Sequence, residues 1–471
     1  MHCGYITVLK DVRPHPNADR LVLGTCFTNT VCVAKDKYTE GQIGVYFPVD
    51  LQLSMDFCKA NGLLAVYENG VNVSGGYMDP DKRNVKAIKL RGQKSDGLFL
   101  PLECLEYTGI EIASLKIGDK ITVINGQEIC KKYIPRTNPS KKVAGGAGKR
   151  VKRRAKRALA PTFFEHKDTE QLAYNLDAFK PGDLIEITLK MHGTSQRTGY
   201  HKIATKYKRT LLDRILRREG TPIYDWGYVS GTRRTVLDGY DGGFYGSNAF
   251  REPHSKQFEG KLLKGETVYY EVVGFTDTGA PIMSTCNNKK LNDKEFIKQY
   301  GDETVFSYGC EPNPTHIVEE VNHEKWGKGV SLSSTPQSDM YVYRMTMTNE
   351  DGDVVEYTPD FMRYRCEQMG VKCVPVFWSG IIPEHPGSAE DPTITAGEWI
   401  NNKAEMFNDG PDPIGKNHIR EGVVVRIINR PSFSAYKSKN FNFKVLEGII
   451  KEVAKAPDME EADGLDQEVI E

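Results

Sequence analysis

The sequence predicts an α+β protein: a small N-terminal β-barrel, a basic linker, and a larger C-terminal domain of strands mixed with helices. Three observations predict it. Residues 1–125 hold short apolar runs at close, even spacing, broken by turn chemistry. Residues 126–160 are dominated by Gly, Ala, Lys and Arg, a composition that buries too little apolar surface to fold alone. From 161 to 450 the apolar runs lengthen and helical periodicity appears between them, before an acidic tail over 451–471. At 471 residues the chain has room for two or three domains, each with its own core.

In the N-terminal region the expected strands are Tyr5–Leu9, Leu21–Phe27, Val31–Ala34, Ile43–Pro48, Lys86–Leu90, Leu98–Leu102 and Lys120–Ile124. Pro14-His15-Pro16-Asn17-Ala18-Asp19, Glu40-Gly41 and Ser95-Asp96-Gly97 supply the turns between them. The linker carries nine Lys or Arg and no acid between Lys141 and Arg157, and the tail has seven acids and no Lys or Arg from Asp458 to Glu471. A formal net charge of +0 therefore hides a strong asymmetry. Like-charge blocks are solvated segments in their own right. A basic block also releases counterions on meeting a polyphosphate, so Lys149, Arg150, Lys152, Arg153, Arg154, Lys156 and Arg157 are candidate nucleic-acid contacts.

Ten cysteines are scattered without a CxxC pair and apart from the histidines, which argues against a zinc site or a disulfide framework. That usage fits a reducing compartment, the cytoplasm or another intracellular one. No apolar run approaches membrane-spanning length, so no membrane partner is expected.

In the C-terminal domain, Pro181-Gly182 precedes Asp183-Leu-Ile-Glu-Ile-Thr-Leu-Lys190, where Ile185, Ile187 and Leu189 alternate with Glu186, Thr188 and Lys190. This is the pattern of a half-buried strand ending on a lysine, followed by Met191-His192-Gly193-Thr194-Ser195. A lysine held at a strand end is a candidate covalent nucleophile. Arg209–Glu219 places Leu211, Leu212, Ile215 and Leu216 on one stripe, the pattern of a packed surface helix. Asn349-Glu-Asp-Gly-Asp353 joins Tyr341–Thr348 to Val354–Thr358 as a hairpin, and lacks the spaced ligands of a calcium loop.

Four further polar sets follow Lys190 in order. They are Ser230-Gly-Thr-Arg-Arg234; Glu271 within Val268-Tyr-Tyr-Glu-Val-Val-Gly274; Glu421 opening Glu421-Gly-Val-Val-Val-Arg426; and Tyr436-Lys-Ser-Lys-Asn440, whose Lys437 and Lys439 project to one side. Nucleotidyl transfer to lysine needs this chemistry. The nucleophile must lose a proton although a free lysine titrates near 10.4, and neighbouring cations disfavour its charged form. The same cations suit a triphosphate, carboxylates hold Mg²⁺, and an aromatic such as Tyr343 suits a base.

The ordered set resembles the covalent nucleotidyltransferase superfamily of ligases and capping enzymes. Lys190-x-His-Gly is similar to its first motif in the histidine form that RNA ligases often carry, and Arg233, with Arg234 as the alternative, falls at the next. Glu271 matches the third motif, Tyr343-Arg344 (Tyr341 being the alternative aromatic) the one after it, Glu421 the fourth, and Lys437-x-Lys439 the fifth. His15-Pro-Asn-Ala-Asp-Arg-Leu21 and Arg91-Gly-Gln-Lys-Ser-Asp-Gly-Leu98 resemble OB-fold modules of the tRNA-binding type. An OB domain placed before the transferase domain resembles the fifth family of RNA ligases.

The resemblance implies an N-terminal OB-like β-barrel and a C-terminal nucleotidyltransferase domain of antiparallel sheets with flanking helices. It also implies an ATP-dependent RNA ligase that joins a 3′-hydroxyl to a 5′-phosphate at nicks in a duplex or RNA/DNA hybrid. Lys190 would carry AMP, and Glu421 would hold Mg²⁺ or Mn²⁺. His192, Gly193, Ser195, Arg233, Glu271, Tyr343, Lys437 and Lys439 would bind the nucleotide, with Glu271 at the ribose and Tyr343 on adenine. No obligate protein partner is implied. The alternatives are a GTP-using capping guanylyltransferase, a DNA ligase, and a nonenzymatic RNA-binding protein. His192 in place of an aspartate and the leading OB domain argue against the first, and the full set of motif residues argues against the last.

Overall fold

The structure is a computed structural model describing residues 2–69, 71–134, 159–216, 220–237, 239–240, 247–277, 282–283, 288–301, 338–387, 393–414 and 419–454. The basic block from Lys149 to Arg157 and the acidic tail from Asp458 lie outside the described residues. The chain forms two compact units: Met1–Thr137 with Phe441–Lys455, and Asn138–Asn440 with Ala456–Glu471.

In the first unit Gly4–Val8 pairs with Ile43–Phe47 on one side and Lys120–Ile121 on the other, and Leu98–Pro101 completes a four-stranded antiparallel sheet. Lys10–Pro14, Leu21–Cys26 and Asn29–Ala34 form a three-stranded meander. These strands follow the alternation of the sequence, and Ile6, Val45, Phe47, Leu53, Phe57 and Leu105 are fully buried between them. The expected barrel is not closed among the described residues: the remaining strands pair two by two.

The two turn motifs of this unit meet. His15 Nε2 lies 3.0 Å from the Leu90 carbonyl, its Nδ1 accepts from the Asn17 amide at 3.0 Å, and Asn17 Nδ2 donates to the Arg91 carbonyl at 2.9 Å. Ser95 and Asp96 are also committed, to the Cys32 amide and to Lys444 Nζ (2.6 Å). The side chains of both motifs hold the unit together.

Two boundaries differ from the sequence expectation. Residues 126–134 were expected to begin the linker, yet Cys130–Lys132 pairs with Leu51–Leu53, and Ile129 and Cys130 are buried in the first core. Residues 441–450 were expected to close the transferase domain, yet they belong to a helix, Phe441–Ala454, that packs on Ala87–Leu90, with Lys94 Nζ 5.5 Å from the Phe441 ring centre. Both segments are short and amphipathic, and composition alone does not say which core receives them.

The second unit is built on two antiparallel sheets. One runs Glu170–Gln171, β8 (Ser434–Lys439), β7 (Gly422–Ile427), β1 (Leu184–Leu189) and β6 (Val376–Ile381), its first strand alone being parallel to its neighbour. The other runs Val236–Leu237, β3 (Thr221–Thr232), β2 (Thr194–Lys208), β4 (Glu266–Gly274), β5 (Ser338–Thr348) and Val354–Glu356. Two helices back them. α1 (Pro359–Met369) is capped by Thr358 and stopped by left-handed Gly370, and α2 (Ala396–Asn408) opens with a Thr395/Glu398 capping box. Ile185, Ile187, Val423 and Val425 join Ile400 and Ala404 in one core, and Val268, Tyr270, Val272 and Val342 join Met362 and Cys366 in another.

Strand β1 departs from its expected half-exposure. Its apolar face is buried as the alternation requires, but Glu186 and Lys190 on the polar face are also only 3% and 8% exposed. That face lines a cavity instead of meeting water. The helix at Leu211–Ile215 departs the other way: Leu211, Leu212, Ile215 and Leu216 are 51–78% exposed, because it caps the β2–β3 hairpin beyond either core. No helix among the described residues is long and apolar enough to cross a membrane.

Candidate active site

Lys190 follows directly on β1 in the five-stranded sheet, and four residues later Thr194 begins β2 in the six-stranded sheet. The motif is therefore the crossing between the sheets, and the cavity opens beside it. Lys190, Ser195, Arg233, Glu271, Tyr343 and Lys437 line that cavity, with His166, Glu186, Arg426 and Phe433. The Lys190 amide donates to the Gly422 carbonyl at 3.0 Å, which sets the end of β1 against the start of β7 and brings Glu421 alongside.

Glu421 is the hub. Lys190 Nζ donates to its Oε1 at 2.6 Å, Lys439 Nζ stands 3.2 Å from the same oxygen, and His192 Nδ1 is 3.4 Å from Oε2. Burial alone would raise the Glu421 carboxyl, but the charges of Lys190 and Lys439, with His192, outweigh it and hold it at about 2. Gly422 makes the approach possible: at φ 148° an added Cβ would sit 2.1 Å from the Ser438 carbonyl and 2.8 Å from Lys439 Cα.

Opposite this cluster, Ser195 and Tyr341 flank Glu271 in the sheet register. The β4–β5 register slips between Tyr269 and Tyr270, leaving Tyr343 unpaired at a bulge, the kind of site where a side chain is re-aimed. Tyr343 turns into the cavity, its hydroxyl 2.8 Å from Ser195 Oγ and its ring 5.1 Å from His166. Tyr341 lies 3% exposed, hydrogen-bonded to Asp339, and does not line the cavity. Burial first, then the Glu271 charge, pushes the Tyr343 phenol up, with Ser195 only partly offsetting them.

Between the two arginines, Arg233 lines the cavity and pairs with Asp168 at 2.8 Å, while Arg234 is half-exposed and reaches the same carboxylate at 3.3 Å. Buried Arg197 donates to the Thr232 and Arg233 carbonyls and so holds that turn. Lys437 faces the cavity from β8, two residues before Lys439. Gly193 has a packing reason of its own. An added Cβ would stand 2.4 Å from the Val272 carbonyl and 2.9 Å from Glu271 Cγ, so its smallness lets the crossing press against β4.

Sequence reasoning expects the segment 163–170 to lead into the site but assigns no role to the side chains of two groups. One is the aromatic wall: His166 meets Tyr269, Tyr343 and Phe433 at 5.1–5.7 Å, and Arg344 packs over Tyr269 and Phe433 while paired with Glu356. The other is Arg251, fully buried, which donates to the Ser195 carbonyl (3.1 Å) and Thr194 Oγ1 (2.7 Å) and so fixes the start of β2. Neither carries a local signal, since each works through residues far away in sequence.

The donor set was tested for a divalent cation. Among the described residues no group of three or more His, Cys, Asp or Glu is placed to hold a metal. Glu421 Oε2, however, is buried and makes no hydrogen bond. One or two carboxylates, with the remaining ligands from phosphates and water, is the usual way Mg²⁺ is bound in nucleotide sites, so the site fits that mode.

No protein-family model matches this chain, and no curated protein does. Solved structures do match. A point mutant of Naegleria gruberi RNA ligase with AMP and Mn aligns over 97% of this chain and 100% of that one, with TM-score 0.51 and 16% identity. The same ligase with PPi, and another point mutant with ATP and Mn, align with the same TM-score, identity and coverage. Identity at this level carries the fold, and the fold is that of an RNA ligase.

Proposed function

We propose that this chain is an ATP-dependent RNA ligase, joining a 3′-hydroxyl to a 5′-phosphate at nicks in a duplex or RNA/DNA hybrid. The observation that carries it is the buried contact of Lys190 Nζ with Glu421, beside a cavity faced by Glu271 and Tyr343. The RNA ligase neighbours bound to AMP, ATP, PPi and Mn support the reading.

Lys190 Nζ attacks the α-phosphorus of ATP: a P–N bond forms, the bond to the bridging oxygen breaks, and pyrophosphate leaves. AMP then passes from Lys190 to a 5′-phosphate end. The 3′-hydroxyl displaces it, forming the phosphodiester and releasing AMP. Nζ must be unprotonated to attack, so its salt bridge with Glu421 has to open first. Tyr343 offers the ring for adenine to stack on, and Glu271, which lines the same cavity, is read as the contact to the ribose hydroxyls. Ser195 orients Tyr343, and Gly193 keeps the crossing close to Glu271. Lys437 and Lys439 hold phosphate oxygens, Arg233 adds a third cation at the rim, and His192 steadies Glu421. Glu421 would hold Mg²⁺ or Mn²⁺, which when bound supplies charge neutralisation for the phosphates.

The first unit is read as the RNA-binding module of OB type, which the meeting of the His15–Asn17 and Leu90–Arg91 turns supports. Lys149–Arg157 is read as a duplex grip. Neutralising it should flatten the salt dependence of nick binding, and an unchanged slope removes that role.

Self-adenylylation tests the whole reading. With α-labelled ATP and Mg²⁺ or Mn²⁺, label should appear on the protein and vanish in Lys190→Ala. Label from GTP alone, or none, overturns it. Equal sealing of nicks ending in a DNA 3′ sugar overturns the RNA assignment.

A further inference from the structure

The β2–β3 hairpin carries a second surface that the ligase chemistry leaves unused. Its register pairs Tyr200 with Tyr228, Lys202 with Trp226 and Ala204 with Tyr224, and directly paired residues share a face. Tyr200 and Tyr228 stack at 4.7 Å and 26°, and Trp226 follows 5.7 Å from Tyr200. Tyr224, 39% exposed, is the next rung. A register shift between Ala204 and Lys206 re-aims the outer strand, so Tyr207, paired with Pro222, continues the face.

The ladder is rooted and then leaves the core. Tyr200 and Tyr228 pack against the core beneath them, and the Tyr228 hydroxyl accepts from the Gly260 amide at 2.6 Å. Beyond them the rings are half-buried or exposed. Lys264 and Lys202 hold their ammonium groups 5.3 Å and 5.9 Å from the Trp226 ring centre, Lys202 also pairing with Glu350 at 2.6 Å. Asp225 alternates to the opposite face, beside Ile203. From 200 to 228 the hairpin and its tip carry seven Lys or Arg against three acids.

We propose that this face binds a single-stranded segment of RNA, its bases stacking on Trp226 and Tyr224 and its phosphates drawn by Lys202 and Lys264. Flat rings interleaved with cations suit unpaired bases, whose faces are open, better than a duplex, whose base faces are covered. That the strand is RNA rests on the ligase reading; that it is single-stranded rests on the ladder alone.

The test is fluorescence anisotropy of a 5′-hydroxyl oligoribonucleotide, which offers no 5′-phosphate for joining, on the full chain. Trp226→Ala and Tyr224→Ala should each weaken binding about tenfold, the double change more, and Trp226→Phe should restore most of it. Lys264→Glu should weaken binding and reduce its salt slope, providing a variant that keeps every ring of the ladder. Wild-type affinity in Trp226→Ala, Tyr224→Ala, the double variant and Lys264→Glu overturns the proposal. So does an equal loss of affinity for the duplex of the same sequence in Trp226→Ala, or a concentration-dependent dimer lost in Trp226→Ala with RNA binding intact, which would assign the face to a second copy. An equal effect on the matching DNA strand keeps the single-strand site and removes its RNA identity. Self-adenylylation of the wild type is read separately, so its failure would sink the ligase reading and leave strand binding to be judged on its own.

Discussion

Replacing Glu421 by glutamine removes one charge and almost no volume. In the native cluster that charge faces Lys190 at 2.6 Å, Lys439 at 3.2 Å and His192 at 3.4 Å, with the carboxylate 3% exposed. Two estimates of its worth agree. Holding the carboxyl at about 2 in place of the ordinary 4.5 corresponds to about 3 kcal/mol of stability. Removing one partner of a buried ion pair costs about 3–5 kcal/mol, because the other charges stay buried without compensation. The sign follows from the depressed carboxyl: its contribution is complete above pH 4.5 and is lost as pH falls toward 2. Glu421→Gln should therefore lower the melting temperature at pH 7 by about 5 °C in a unit of this size. Adding Lys439→Met should return part of the loss, since it removes one uncompensated cation. Calorimetry of the wild type and the two variants at pH 7 measures this. An unchanged melting temperature in Glu421→Gln, or additive losses in the double variant, refutes the electrostatic account of the cluster.

Gly193→Ala should abolish self-adenylylation and cost about 1–3 kcal/mol, because the new methyl meets the Val272 carbonyl and Glu271 Cγ; a variant as active as wild type would show that the crossing yields. Burial pushes His201 and His254 down to about 4, so both are neutral in the native state at pH 7 while the unfolded chain takes up protons near 6.5. Stability should thus fall as pH drops from 6.5 to 4, by up to about 3 kcal/mol per histidine, and urea midpoints at pH 7 and pH 5 check it. Tyr343→Phe removes the hydrogen bond to Ser195 and should raise the KM for ATP severalfold while kcat for self-adenylylation changes less; a selective fall in kcat would give the hydroxyl a part in the chemistry itself.

Strand β1 and the order of the polar sets were legible because each is local: period-2 alternation places Lys190 at a strand end, and Lys437 and Lys439 share a face by the same rule. The choices left open were those that turn on tertiary detail. Tyr343 enters the cavity and Tyr341 does not because a bulge at Tyr343 interrupts the β4–β5 ladder between Val342 and Arg344, and no local pattern marks a bulge. Arg233 is aimed by buried Arg197, which grips the Thr232 and Arg233 carbonyls from another strand. The apolar stripe of Leu211, Leu212, Ile215 and Leu216 was read correctly as a stripe and wrongly as packed. Periodicity shows that a face is apolar, and whether another element covers it depends on where the hairpin ends. The segment 126–134 and the helix Phe441–Ala454 show the same limit at the scale of a domain: the first stays with the core that precedes it, and the second joins that core from far away in sequence.

The cluster around Glu421 also bears on how such a site stays quiet. Lys190 and Lys439 share one carboxylate oxygen while the other makes no hydrogen bond, so the nucleophile is restrained by the same group proposed to hold the cation. Under the ligase reading these two uses of Glu421 compete for a single negative charge. Drawing that charge toward a cation weakens its hold on the Lys190 ammonium, and phosphate oxygens arriving at Lys437 and Lys439 take Lys439 out of the cluster. Release of Lys190 is then tied to the presence of both the cation and the triphosphate, with no moving lid required. The register supports this economy: Gly422 faces Lys439 across β7 and β8, and its carbonyl accepts the Lys190 amide, so the three charged groups are fixed by one short stretch of backbone pairing.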